Sequence, residues 1–282
     1  MKKKFFKGFT LIELIVVMAV LSILLAAIIR LFAPIRETYV DATLYETQRN
    51  AQNGVVKYLT ESMRYSTDLG LYTQDKVSTV TGAVEKFTDA YLAANGVTTS
   101  DPQYSAKRAN TLNEMKKYAE VIIIDNNAYT YNDADFTGRL LRKVSKYDSA
   151  GNPIPMTDNA EKPSTDECRI ALGMAYYGES NYTITVTPPE KDEDNNPITT
   201  ITDWKTDWKA THGVKVSVAS NAKYGSRSNK VISNTGLVIC KNQSDSTIKG
   251  MFDTSNYTQT AISGPKTKVY VVFINEKIDI VP

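Results

Sequence analysis

Apolar residues follow three different rhythms along this chain. From Leu14 to Ile29, sixteen residues are apolar except for Ser22, and the wider window 9–33 is broken only by Thr10, Glu13, Ser22 and Arg30. No face is distinguished from another there, and about twenty such residues as helix span a bilayer core. Beyond Pro34 the rhythm becomes three and four. Leu44, Gln48, Ala51, Val55, Leu59 and Ser62 recur at three and four residues, and Met63 extends the stripe, which predicts an amphipathic helix to about Asp68. Pro34 lacks an amide donor, so a kink or local melting is expected between the halves. Joined, they predict a helix of about sixty residues, roughly 90 Å long at 1.5 Å per residue.

Residues 69–119 are mixed. Thr81 to Ala94 and Thr111 to Tyr118 read as short helices, the first ended by Asn95-Gly96, with a loop at Asp101-Pro102. The segment reads as an insertion between helix and sheet. From Val121 the period is two. Val121 to Ile124 predicts a buried strand, Asp125-Asn126-Asn127 a turn, and Ala128 to Tyr131 the answering strand of a hairpin. Gly138–Val144 reads as the next strand. Further strands are expected at Arg169–Tyr177, Tyr182–Thr187, Ile198–Ile201, Val214–Val218, Leu237–Cys240 and Val269–Ile274, with loops at Asp148–Glu167 and Glu190–Pro197. The expected fold class is α+β: a long N-terminal helix, half membrane-spanning and half amphipathic, packed on an antiparallel sheet head.

The N-terminus changes this picture from architecture to chemistry. Lys2, Lys3, Lys4 and Lys7 precede the apolar run, which places the N-terminus in the cytoplasm and the C-terminal bulk outside. Arg30 lies near the far end, where its stem can snorkel. A secretory signal has an apolar core of about seven to fifteen residues and small residues at its far end. Here the run is longer, and the small residue, Gly8, comes before it. A cut after Gly8 removes the basic leader and leaves the span attached. Glu13 is the anomaly: a carboxylate near the start of the span costs a few kcal/mol in lipid unless it is paired.

Gly8-Phe9-Thr10-Leu11-Ile12-Glu13-Leu14 resembles the leader junction of type IV pilins and of the pseudopilins of type II secretion and competence systems. The resemblance implies cleavage between Gly8 and Phe9 by a prepilin peptidase and N-methylation of the new Phe9 amine. It also implies that Glu13 pairs with the terminal amine of a neighbouring subunit and so sets assembly register. Physical chemistry agrees, since a charge too costly for lipid is tolerable in a helical bundle opposite a cation. Gln48-Arg49-Asn50-Ala51, Leu59, Met63-Arg64 and Tyr65-Ser66 are similar to the post-membrane helix of W-type minor pilins and J-type minor pseudopilins, as is the hairpin followed by Leu140 and Arg142. The expected organisation is a leader peptide at 1–8, a transmembrane and filament-core helix at 9–33, an amphipathic helix at 34–68, an insertion with short helices at 69–119 and a β-rich head at 120–282.

Composition narrows the chemistry. Loss of the four leader lysines leaves 29 basic against 31 acidic residues, so no basic surplus remains for general nucleic-acid binding. Cys168 and Cys240 both lie beyond the span, facing an oxidising space, and are candidates for a disulfide. Closing that loop is worth roughly 4 kcal/mol in the chain-entropy model. His212 is the sole histidine and has no recognisable triad context. Asp192, Asp194 and Asn196 mimic the opening of a calcium loop, but Pro197 stands where glycine is needed and Asp203 where a bidentate Glu belongs. Asp133 and Asp135 add two more oxygens elsewhere. No glycine-rich phosphate loop occurs. No catalytic residue, metal or cofactor is expected.

The expected function is structural. The chain is expected to be a minor pilin-like subunit in the bacterial cytoplasmic membrane, single-pass, with its head outside, assembled at or near a pilus tip and priming assembly. Its expected partners are prepilin peptidase, other pilins or pseudopilins through the N-terminal helix, the membrane platform and motor, and lipid before assembly. The alternatives are a pseudopilin of a secretion or DNA-uptake system, a tip adhesin and, least favoured, a membrane-tethered enzyme.

Overall fold

The structure is a computed structural model and describes residues 10–131, 134–143, 146–154, 168–172, 180–187, 189, 194–197, 212–224, 227–240, 242 and 268–280. The first helix, α1 (Leu11–Met63), runs through Pro34 without interruption, so the local melting expected there does not occur. One missing amide costs about 3 kcal/mol, and the turns around it hold; Thr38 Oγ1 donates to the Pro34 carbonyl at 2.9 Å. The chain divides into two compact units, 1–47 and 48–282. In the first, large apolar side chains from Leu11 to Phe32 stand uncovered on every side of the helix.

The second unit begins with residues 48–63 of α1. Ala51, Val55, Leu59 and Met63 are buried at the predicted spacing. Ser66 ends the helix, its backbone N–H and its hydroxyl both donating to the Met63 carbonyl. The strand that follows, β1 (Asp68–Thr73), is the first departure from the expected insertion, because it belongs to the main sheet. Then come α2 (Val80–Ala94), α3 (Tyr104–Tyr118) and β2 (Glu120–Asp125). Thr79 caps α2 by accepting from Gly82 N at 3.0 Å. Helix α3 starts seven residues before the expected Thr111, because its stripe is weak and only Thr111 and Met115 are buried.

The remaining strands are β3 (Tyr129–Tyr131), β4 (Ala134–Phe136), β5 (Arg139–Lys143), β6 (Lys146–Tyr147), β7 (Pro153–Ile154), β8 (Cys168–Ile170), β9 (Asn181–Thr187), β10 (Gly213–Tyr224), β11 (Arg227–Ile239) and β12 (Lys268–Ile274). All pairs are antiparallel. The main sheet has the order β1-β12-β2-β5-β8, and a second sheet the order β11-β10-β9. The expected hairpin of β2 with Ala128–Tyr131 is corrected here: β3 pairs with β4, while β2 pairs with β12 and β5. The expected strand at Ile198–Ile201, and the end of that at Arg169–Tyr177, lie outside the described residues.

The last strand, β12, separates β1 from β2, which therefore run parallel to each other. Parallel strands need a long crossover, and α2–α3 is that crossover. It covers the second face of the sheet. Val269, Val271 and Phe273 of β12 face α1 and the second sheet, while Tyr270, Val272 and Ile274 face α2 and α3. Both faces are buried, which is why Val121–Ile124 reads as a continuous apolar run. Gly70 is required by the crossover, since a Cβ there would lie 2.7 Å from Phe87 Cδ2.

Two devices join the sheets. Asn126 uses its side-chain amide as a strand would: Ile184 N donates to its Oδ1 at 3.0 Å and its Nδ2 donates to Ile184 O at 2.8 Å. Beside it, Tyr182 N donates to Thr137 O at 3.1 Å. Gly138, at φ +78°, lies so close that a Cβ would overlap the Tyr182 carbonyl. From the helix, Gln48 donates to Ser180 Oγ at 3.3 Å, and Gln52 donates to Ser220 Oγ and Ile232 O, both at 2.7 Å.

Two glycines with the same φ separate backbone strain from steric clash. Gly96→Ala has open space and should cost only about 1–2 kcal/mol for the left-handed backbone. Gly138→Ala should cost clearly more, or prevent folding, because the overlap adds to that strain. Denaturation midpoints of the two variants of the full chain in detergent check this. Equal costs would mean that the junction between the sheets is not tight.

Candidate functional site

The apolar run gives α1 no buried side among the described residues of the first unit. Leu11 is 76% exposed and Ile23 70%. Leaving each such side chain in water forgoes about 1.5–3 kcal/mol. A dozen of them amount to roughly 20 kcal/mol or more, beyond the ~5–15 kcal/mol that holds a typical domain together. This segment is the one described helix long and apolar enough to cross a membrane.

At its start the chain builds a capping box. Thr10 is the N-cap and Glu13 the third helical residue. Thr10 N and Thr10 Oγ1 each donate to Glu13 Oε2 at 2.9 Å, and Glu13 N donates back to Thr10 Oγ1 at 3.3 Å. The Thr-x-x-Glu spacing carries that signal in the sequence, where it is masked by the cost of a charge in lipid. Glu13 therefore has a local role besides the expected pairing. Its Oε1 accepts no hydrogen bond among the described residues. Gly8 and Phe9 lie outside the described residues.

The other sequence candidates do not converge. Cys240 is a free, buried thiol at the end of β11 beside Ser66, so the expected Cys168–Cys240 bridge is not formed in this structure. Strand order gives the reason: β8 carries Cys168 at the edge of the main sheet opposite β1, about 19 Å away at four strand spacings, whereas Ser66 lies just before β1. A disulfide needs Cα atoms within about 7 Å. The side chain of Cys168, with Asp192, Asp203 and Asp133, lies outside the described residues, as does the side chain of Asp135. Asp194 and Asn196 are exposed. Among the described residues no three His, Cys, Asp or Glu side chains gather as metal ligands. His212 is half-buried at the start of β10.

One open recess of about 330 Å³ lies between residues 58–65, at and just after the end of α1, and the main sheet. Two of its polar side chains, Arg142 and Asn275, are held by Glu120. Arg142 Nε donates to Glu120 Oε2 at 3.1 Å, its Nη2 closes a second contact with the same oxygen, and Asn275 Nδ2 donates to Glu120 Oε1 at 3.4 Å. This is a brace across the sheet and not a reactive set.

Burial pushes the Cys240 thiol up to about 11, against an opposing hydrogen bond with Ser66. The thiolate is the reactive form, so at pH 8 about one in a thousand is reactive. Alkylation of the Cys240 peptide should require unfolding, and the mass of the native chain should be unchanged by reduction. Rapid labelling, or a gain of about two hydrogens, would contradict the arrangement.

Residues 3–29 match the model of the prokaryotic N-terminal methylation motif. No curated protein and no solved structure matches the chain. That motif, on an apolar helix followed by antiparallel sheets, supports a membrane-anchored type IV pilin-like or pseudopilin subunit, a structural part rather than an enzyme, and it implies processing by a prepilin peptidase and assembly with other pilins.

Proposed function

We propose that the chain is a minor type IV pilin-like subunit, placed at or near the tip of a pilus and helping to prime its assembly. The observation that carries this reading is the uncovered apolar helix behind a Gly8-Phe9 junction. In the membrane, lipid covers residues 11–32. After cleavage and methylation at Phe9, an assembly motor transfers the helix into a bundle of like helices, so that its surface stays dry throughout. Glu13 then meets the terminal amine of a neighbour, an ion pair whose formation in a dry bundle fixes axial register. The W-type and J-type resemblance over residues 48–66 supports a minor position. So does the α2–α3 layer over the sheet, which enlarges the head beyond what a closely stacked shaft subunit needs.

A pseudopilin of a secretion or DNA-uptake system shares the leader and the helix, and the same J-type resemblance favours it as the second reading. The head then stays with the envelope, and loss of the gene blocks export or uptake without removing surface filaments. A tip adhesin leaves filaments intact and abolishes attachment.

Glu13 permits a sharp test because its two roles separate chemically. Glu13→Gln keeps the capping box, since Gln serves at that position, and removes the charge. Glu13→Ala removes both. The expected outcome is that both variants are cleaved normally and that both fail to restore filaments in sheared surface fractions of a gene-deleted strain. Filaments restored by Glu13→Gln alone would mean that capping suffices and that the charge pairing is wrong. Gly8→Leu should retain the eight-residue leader, read as intact mass. A mature mass would overturn the cleavage assignment.

A further inference from the structure

The two edges of the β11-β10-β9 sheet are treated in opposite ways. The β9 edge is closed by the Asn126 side chain and by Thr137, as described above. Among the described residues the β11 edge is open. Cys240 N donates to His212 O at 3.0 Å, and the register pairs Gly213 with Ile239. The even-numbered residues of β11 therefore exchange bonds with β10, and the odd-numbered residues turn their N–H and C=O outward. At Ser233, Thr235 and Leu237 these outward groups meet no partner among the described residues, and all three residues are exposed. A long open edge is a template for another strand, and proteins commonly blunt such an edge with charge or proline. Residues 231–239 read Val-Ile-Ser-Asn-Thr-Gly-Leu-Val-Ile, with neither.

From this edge we infer that β11 pairs with β11 of a second copy of this chain, antiparallel, about a twofold axis at Thr235. The parity fits. A twofold centred on an odd residue sets Thr235 opposite Thr235 and Ser233 opposite Leu237, so each outward N–H meets an outward C=O of the other copy. The facing segments carry no charge, so no like-charge repulsion opposes the approach. On the outer face, Ser217 Oγ and Thr235 Oγ1 lie 3.0 Å apart. That contact holds the central position of the seam to the neighbouring strand. The recognition is main-chain addition of a strand, and the inference stands apart from any position in a pilus.

The test uses the full chain in native membranes. In the twofold pair the two Cα atoms of residue 235 lie about 5.5 Å apart, within the disulfide range of about 4.4–6.8 Å. Thr235→Cys should give, on mild oxidation, a reducible adduct of twice the chain mass. Asn234→Cys, on the inner face, and the unaltered chain should not. Adding Ser233→Lys and Leu237→Lys to Thr235→Cys puts lysines opposite each other and should cut the adduct several-fold, while protease resistance of the head stays unchanged. Monomer alone with Thr235→Cys, an adduct of any other mass, or a yield indifferent to the two lysines would overturn the pairing.

Discussion

Everything in this chain depends on where the hydrocarbon surface of residues 11–32 is put. That surface cannot be left in water, since the cost exceeds the stability of an ordinary domain. Nor do the described residues of the first unit cover it, because every large apolar side chain from Leu11 to Phe32 is exposed. In the proposed function that surface is met first by lipid and then by other helices. The capping box at Thr10 and Glu13 fits both settings. It satisfies amide donors of the first turn from within the helix and fixes Glu13 Oε2, while Oε1 is left for a contact from outside.

The second unit is organised around β12. This strand fills the gap between β1 and β2, so the main sheet is complete only when residues 268–274 have joined it. That topology makes the central contacts far apart in sequence, an arrangement that slows folding through loop-closure entropy. It also makes both faces of the sheet interior. Two features follow from that burial: glycine at position 70 where Phe87 approaches, and a crossover of two helices.

What the sequence disclosed and what it withheld divide along physical lines. The apolar run and the stripe Ala51, Val55, Leu59 and Met63 were legible, because a 3.6-residue period reports one buried face directly. So were most strands, including β2, β5, β9 and β12, whose apolar runs or alternation exceed any helical signal. Pairing was not legible. Asn126 looks like a turn residue, and nothing local says that its amide will extend the ladder of β9, 58 residues away. Strand β1 was hidden because Gly70 and Asp68 weaken the strand pattern while serving tertiary needs. The Cys168–Cys240 pairing rested on compartment and count, which carry no information about strand order. At the N-terminus the Thr10-x-x-Glu13 spacing carries the capping box, a local signal that competes in the sequence with the cost of a charge in lipid.

The most direct test of the central claim is to ask what touches the apolar helix before and after assembly. A photoactivatable residue at the exposed position Ile23 should cross-link to lipid in the membrane fraction and to another subunit in sheared or detergent-isolated filaments. Cross-linking to lipid in every fraction, or recovery of the mature chain with its helix in the aqueous phase, would contradict a helix that passes from bilayer to bundle.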